Sequence, residues 1–260
     1  MKLSLFFVGV LLVAMFSLES CKSNETVGMQ PLVVERQECF LKNYTHLTEV
    51  LPLTIDIDLP VEGPQLLVDS VTAFLNEALY EFFDDGEDCH LPYDSVFSKD
   101  VKRLAEHYRD AYKPFFLADG VNEHEFGADC LELNLVAQTD TYVTYEVDNV
   151  FFGEGVETST EWVTFVKNDG HRLGEVISED GLLRFYREHP NLRSEDVWSN
   201  VQFHLSDSSG VGLVCEVGLL NDAVAHQYVY ATGIFEDLKY PLDSIAPYLS
   251  KEARELIGGK

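Results

Sequence analysis

Apolar and polar residues alternate repeatedly along this chain, and that pattern constrains its fold more than any other feature. In one stretch, polar residues separate four apolar ones: Leu53, Ile55, Ile57 and Leu59. Successive side chains of a strand point to opposite faces, so a period of two predicts a half-buried strand. The alternation recurs at 131–135, 143–147, 201–205 and 211–217. We therefore expect the chain to fold around β-sheets.

Helical periodicity is confined to a few segments. Apolar residues recur at three- and four-residue spacing over 67–82 and 101–112. Ser98 is the predicted N-cap of the second helix, and Pro114 its predicted end. A third, short helix is expected at 180–189.

The order of these elements predicts the fold class. Strands and helices rarely take turns along the chain, which argues against a doubly wound parallel sheet. The last strand is expected near 227–232, followed by helical turns over 241–257. We predict an α+β fold in which antiparallel sheets pack against a few helices, in two abutting subdomains. These are a smaller N-terminal α+β domain at 33–128 and a β-rich C-terminal domain at 129–260.

The N-terminal segment has the organisation of a secretory signal. Lys2 precedes an uncharged run at 3–18, shorter than the roughly 20 residues of a membrane-spanning helix. The closing Leu18-Glu19-Ser20-Cys21 resembles a bacterial lipobox. We expect removal of the signal peptide (1–20), lipid attachment at Cys21 and a polar tether at 21–32. An ordinary signal cleaved just before Cys21 is the alternative.

Lipid on Cys21 predicts where the protein resides and how it meets a membrane. The expected location is the bacterial cell envelope, anchored to the outer membrane on its periplasmic face or at the surface. Lys22, in place of an aspartate after the cysteine, favours outer-membrane sorting.

The charge balance excludes some classes of partner. The chain has 45 acidic and 18 basic residues, a formal net charge of −27. Such a surface repels phosphate groups, so nucleic-acid binding is not expected. It attracts cationic partners by long-range steering. A hydrophobic fraction of 46% supports a packed core rather than disorder.

Four cysteines remain once Cys21 is assigned to lipid: Cys39, Cys89, Cys130 and Cys215. An even number in an oxidising compartment makes them candidate disulfide partners. Four cysteines allow three pairings, and buried free thiols are the alternative.

Residues with catalytic or metal-binding chemistry form no recognisable motif. Glu123 and His124 sit together in a polar stretch, and several carboxylates gather at 84–88 beside Cys89-His90. Adjacent loop residues seldom converge on one ion, and the acidic run lacks the spacing of a calcium loop. Neighbours on a strand point to opposite faces, which argues against a cysteine–histidine pair. We predict no catalytic residue, no metal site and no cofactor.

A succession of strands and turns in the C-terminal half carries a family resemblance. It comprises Tyr142–Gly153, Glu161–Phe165, Asn168–Gly170, Arg172–Ile177, Phe203–Asp207, Gly212–Glu216, Tyr230–Gly233, Lys239–Asp243 and Ile245–Leu249. The pattern resembles a domain of unknown function in bacterial envelope proteins. Members include the lysozyme-sensing extracytoplasmic part of an anti-sigma factor, a domain beside a peptidoglycan deacetylase module, and stand-alone lipoproteins. The resemblance covers about residues 45–257 and implies the stand-alone lipoprotein class.

These observations predict a non-enzymatic protein that binds a partner. A cationic protein such as a lysozyme fits the acidic surface, and a cell-wall glycan such as peptidoglycan fits exposed aromatic residues. Gly153, Glu154 and Gly155 form the candidate binding loop, where family members carry a Gly-Gly-Ala-His-like sequence; an ordinary hairpin turn is the alternative. A cell-wall hydrolase and a structural outer-membrane assembly protein are the other candidate functions.

Overall fold

A computed structural model gives the structure of seven segments of the chain. The described residues are 30–42, 52–83, 99–116, 129–152, 156–188, 217–229 and 235–258.

Five strands form the larger sheet, in the order β1-β2-β3-β4-β5. Their bounds are β1 (Val33–Lys42), β2 (Pro52–Glu62), β3 (Asp129–Gln138), β4 (Tyr142–Phe152) and β5 (Val156–Val166). Neighbouring strands are antiparallel except β2 and β3, which run parallel. The predicted α+β class is confirmed. The larger sheet is mixed rather than wholly antiparallel, because a helical crossover joins β2 to β3.

The alternation in β2 divides the sheet into two faces. Its four apolar side chains are each 1% exposed or less, on the face that we call the inner face. Thr54, Asp56 and Asp58 are half-buried on the opposite, outer face. Each aliphatic side chain buried in this way contributes roughly 1.5–3 kcal/mol to folding.

Two helices cover the inner face, α1 (Gln65–Phe83) and α2 (Val101–Phe116). Their apolar residues join those of the strands in one core cluster. The Tyr108 hydroxyl donates a buried hydrogen bond to Asn76 Oδ1 at 3.0 Å, which ties α2 to α1. Within the described ranges, no helix has the length and apolar character needed to cross a membrane.

Both predicted ends of α2 were wrong. Ser98 lies outside the described residues, and the helix is capped by Asp100, whose carboxylate accepts the Arg103 N–H at 3.1 Å. Pro114 lies inside the last turn rather than ending it, since the helix continues to Phe116. Pro114 has no N–H and so removes one backbone hydrogen bond, and only two helical residues follow it.

The C-terminal part forms a smaller unit. It contains α3 (Glu179–Glu188), a three-stranded antiparallel sheet, and a helical end. The strands are β6 (Val217–Leu219), β7 (Ala223–Val229) and β8 (Phe235–Pro241); the helical end comprises α4 (Leu242–Ile245), a 3-10 turn (Ala246–Tyr248) and α5 (Lys251–Leu256). The short helix and the helical end match expectation. The prediction of a last strand near 227–232 was wrong, because β8 follows it.

The smaller sheet packs on the outer face of β4 and β5. The Thr144 hydroxyl donates to the Leu219 carbonyl oxygen at 2.5 Å, and the Tyr142 hydroxyl donates to the Leu220 carbonyl oxygen at 2.7 Å. A Cβ atom added to Gly218 would lie 2.4 Å from the side chain of Trp162, so only glycine allows this approach.

The larger sheet includes strands from both sides of the predicted boundary at 128/129. β1 and β2 precede it, and β3, β4 and β5 follow it. One core cluster likewise extends from Leu32 to Phe165, and a second one lies in the C-terminal unit. The division into two domains stays a prediction.

Candidate functional site

A cleft of about 230 Å³ opens between α1 and the inner face of β4 and β5. Its wall combines two phenylalanines, three glutamates, one arginine, an asparagine and two small apolar residues: Phe74, Glu77, Ala78, Glu81, Phe82, Val147, Asn149, Glu161 and Arg172. Concave sites in which a few charged groups converge beside aromatic rings are the usual location of ligand binding.

Three distant segments supply the charged residues. Glu77 and Glu81 are four residues apart on α1, so they lie on the same face of the helix. Glu161 lies on β5, opposite Val147 of β4. Arg172 follows the turn after β5 and forms an isolated antiparallel bridge with Phe165.

Gly170 makes the turn that brings Arg172 back to the sheet. Its φ is +76°, a left-handed conformation that favours glycine, and its N–H donates to the Val166 carbonyl oxygen at 2.8 Å. A Cβ atom at this position would lie 2.5 Å from the carbonyl oxygen of Leu66 in α1. The turn Asn168-Asp169-Gly170, predicted from sequence, therefore also contacts the start of α1.

Arg172 neutralises one of the three glutamates. Its guanidinium group pairs with Glu77, with side chains 44% and 42% exposed. Solvent screening limits such a pair to at most about 1 kcal/mol. The same guanidinium lies 5.0 Å from the ring centroid of Phe74 and 6.0 Å from that of Phe165, within cation–π range.

Glu81 and Glu161 have no ion pair or side-chain hydrogen bond within the described part of the chain. Partial burial of the carboxylate raises the pKa of Glu81, and repulsion from Glu77 and Glu161 raises it further, against the lowering effect of Arg172. Partial burial also raises the pKa of Glu161, against the lowering effect of Arg172. Both residues are exposed as a whole, so water moderates these shifts. The cleft therefore holds an excess of negative charge.

Asn149 adds a neutral acceptor to this wall. Its Oδ1 atom is buried and has no hydrogen-bond partner. Buried polar atoms are almost always paired, so an orphaned acceptor in a cleft marks a place for a donor.

The outer face of the sheet carries a second acidic array. Strand register places Glu38 opposite Asp56, Asp56 opposite Glu132, and Glu132 opposite Asp148. Like charges directly opposite each other destabilise a sheet. Burial raises the pKa of Asp56. Arg36 lowers this pKa, while Glu38 and Glu132 raise it further.

Arg36 partly offsets this repulsion between carboxylates. The guanidinium group lies 3.4 Å from Asp56 Oδ2 and 3.3 Å from Asp58 Oδ1. Asp56 Oδ1 remains buried and unpaired. Within the described residues, no group of three or more histidine, cysteine or acidic side chains could hold a metal ion.

Most residues singled out from the sequence lie outside the described residues. These are Cys21, 84–88, Cys89, His90, Glu123, His124, Cys215 and the loop Gly153, Glu154, Gly155. Cys39 is a buried free thiol on the inner face, and Cys130 is a half-buried free thiol on the outer face. Because they occupy opposite faces, these two do not pair with each other in this structure.

The cleft residues were missed from the sequence. The signal that could have found them is the pair Glu77 and Glu81, since like charges four residues apart destabilise a helix. Nothing in the sequence brings Glu161 or Arg172 to that helix.

Comparison with known proteins bears on the fold. No protein-family model and no curated protein matches the sequence. A solved structure of a DUF3298 family member from Bacteroides fragilis NCTC 9343 matches with a TM-score of 0.51 and 15% identity, over 89% of this chain and 100% of that one. The chain shares the DUF3298 fold.

A second structure gives the same result. A DUF3298 family protein from Pseudomonas aeruginosa PAO1 matches with a TM-score of 0.52 and 15% identity, over 86% of this chain and 96% of that one. The fold is thus that of a family named for a domain of unknown function, as the sequence resemblance predicted. At this identity the likeness concerns the fold alone.

Proposed function

We propose that this protein is anchored in the bacterial envelope by lipid on Cys21 and binds a cationic protein, such as a lysozyme, without catalysis. The observation that carries the proposal is the charge of the cleft, where a single arginine, paired with Glu77, faces three glutamates. The chain's net charge of −27 would steer a cationic partner toward this surface.

The cleft favours binding over chemistry. Its ionic groups remain in contact with water, as the exposures of Glu77 and Arg172 show. No serine, threonine, cysteine, lysine or histidine is among the residues that line it. A charged, hydrated cleft of this kind suits recognition of a cationic side chain presented by a partner.

Biolayer interferometry with immobilised protein and a lysozyme tests the proposal. We expect saturable binding that weakens as ionic strength rises, since screening reduces contacts between exposed charges. Glu81→Gln and Glu161→Gln should weaken it, while Glu62→Gln, which removes an exposed charge at the end of β2, should not. Absence of binding by the wild-type protein at low salt would refute the proposal.

Metabolic labelling with a fatty acid tests the anchor. We expect label on the wild-type product and none after Cys21→Ala. Equal labelling of both, or none on the wild type, would remove the anchor from the proposal but leave the cleft open to test.

A cell-wall hydrolase is the second candidate, because the cleft gathers carboxylates from separate segments. Glu81 and Glu161 have raised pKa values, as a general acid requires, and two phenylalanine rings lie beside them. Incubation with purified peptidoglycan and chromatography of the soluble fragments tests this. Fragments released by the wild type but not by Glu81→Gln or Glu161→Gln would favour hydrolysis over binding.

A further inference from the structure

The cleft already contains one bound guanidinium group, that of Arg172. It is held by a carboxylate, Glu77, and by the face of an aromatic ring, Phe74, at 5.0 Å. A cation–π contact combined with pairing to a carboxylate is a binding mode that the planar, weakly hydrated guanidinium of arginine adopts more readily than the ammonium of lysine. The wall around Glu77 therefore shows which ligand chemistry this cleft accommodates.

Three further polar groups line the cleft beside this pair. Glu81 of α1 and Glu161 of β5 contribute carboxylates, and Asn149 of β4 contributes an amide oxygen. Within the described residues, neither carboxylate has an ion pair, and Asn149 Oδ1 is buried without a donor. These three polar groups are all acceptors. A complementary ligand must be positively charged and must carry several N–H donors in different directions.

The dimensions of the cleft limit the ligand further. Its volume of about 230 Å³ is below the roughly 300–1,000 Å³ of pockets for drug-sized molecules. A single side-chain head group fits this space better than a folded segment or an oligosaccharide.

Resting on the proposed function, we infer that the cleft binds one arginine side chain of the partner, with its guanidinium group between Glu81 and Glu161. A guanidinium presents five N–H donors in one plane, enough to serve two carboxylates and an amide oxygen together. A lysine ammonium has three donors and holds its hydration more strongly. An arginine side chain has enough donors for Glu81, Glu161 and Asn149 Oδ1 together.

Two matched peptides test the inference, acetyl-Gly-Arg-Gly-amide and acetyl-Gly-Lys-Gly-amide. Each is titrated into the isotopically labelled protein at low salt, and chemical-shift changes in two-dimensional NMR spectra give the dissociation constant. We expect the arginine peptide to bind about tenfold more tightly than the lysine peptide, and to shift the amide signals of α1 and β5.

Three variants locate the site. Glu81→Gln and Glu161→Gln should each weaken arginine-peptide binding about tenfold, the effect of losing one charge-assisted hydrogen bond. Glu62→Gln is the matched control. It should change the dissociation constant less than about twofold, because it removes one exposed charge away from the cleft. Circular dichroism spectra identical to wild type confirm that the two cleft variants remain folded.

The outcomes separate this inference from the proposed function. Equal affinity for the two peptides, or equal loss in Glu62→Gln and the cleft variants, overturns the arginine site. Lysozyme binding that survives both cleft substitutions also overturns it, while the proposed binding of a cationic protein stands. Failure of the wild type to bind lysozyme, with intact arginine-peptide binding, overturns the proposed partner and supports the site.

Discussion

Replacing Thr144 by valine tests the joint between the two sheets. Thr144 is fully buried; its hydroxyl lies 2.5 Å from the Leu219 carbonyl oxygen and 2.9 Å from the Thr164 hydroxyl. A hydroxyl has one proton, so Thr144 donates to Leu219 and Thr164 donates to Thr144. Valine keeps the shape of the side chain and removes both hydrogen bonds.

The expected magnitude follows from those two bonds. A buried hydrogen bond contributes about 1 kcal/mol net, and a buried acceptor that loses its donor costs about 1–3 kcal/mol. We therefore expect Thr144→Val to lower the free energy of unfolding by about 2–3 kcal/mol. Urea unfolding followed by tryptophan fluorescence should show a lower midpoint with an unchanged slope.

Thr164→Val is the matched control. It removes the bond to Thr144 but leaves the bond between Thr144 and Leu219, so we expect a loss of about 1 kcal/mol. A change below about 0.5 kcal/mol in Thr144→Val would refute the reasoning, given that surface substitutions cause changes of that size. A larger loss in Thr164→Val than in Thr144→Val would refute it as well.

Three further predictions concern the turn after β5 and the cleft. Hydrogen bonds to Glu252 and Asp169 raise the pKa of His171 above 6.5, and NMR titration of the histidine ring measures that pKa. The contribution of His171 to stability is therefore complete below pH 6.5 and is lost as pH rises through the raised pKa. Gly170→Ala should lower the free energy of unfolding by more than about 1 kcal/mol in thermal denaturation, because its φ is +76° and its Cβ would meet α1. Binding of a cationic peptide should weaken as pH falls through the raised pKa values of Glu81 and Glu161, since protonation removes their charge; titrations at several pH values measure this.

Each of these has a contrary result. A pKa of His171 at or below 6.5 would show that the two hydrogen bonds do not favour the charged ring. Unchanged stability of Gly170→Ala would show that the turn and α1 move apart without cost. Affinity that is constant from neutral to acidic pH would remove Glu81 and Glu161 from the binding surface.

The sequence predicts those features that depend on residues close together in the chain. The alternation of Leu53, Ile55 and Ile57 locates β2, because strand side chains reach opposite faces at every step. The helical spacing from Leu67 onward locates α1 for the same local reason.

Features that depend on distant contacts were not predictable in this way. Asp100 and Ser98 are both N-cap residue types by sequence. Asp100 is the cap because the helix begins at Val101, and the sequence does not give that starting point. Parallel pairing of β2 and β3 depends on the helices that connect the two strands and pack on the inner face. The cleft forms only where Glu161 and Arg172 lie beside α1. Helix propensity and hydrophobic periodicity describe local structure and do not predict which distant segments come together.

The parallel seam between β2 and β3 has a consequence for the order of folding. β1 and β2 can close as a local hairpin, and β3 to β5 as a local meander, because their connections are much shorter than that between β2 and β3. Joining them closes the long connection 63–128, which carries the loop-closure entropy of its length. We expect the pairing of β2 with β3 to be the slow step of folding. A chain cut between β2 and β3 would form two separate half-sheets, each with an unpaired edge strand.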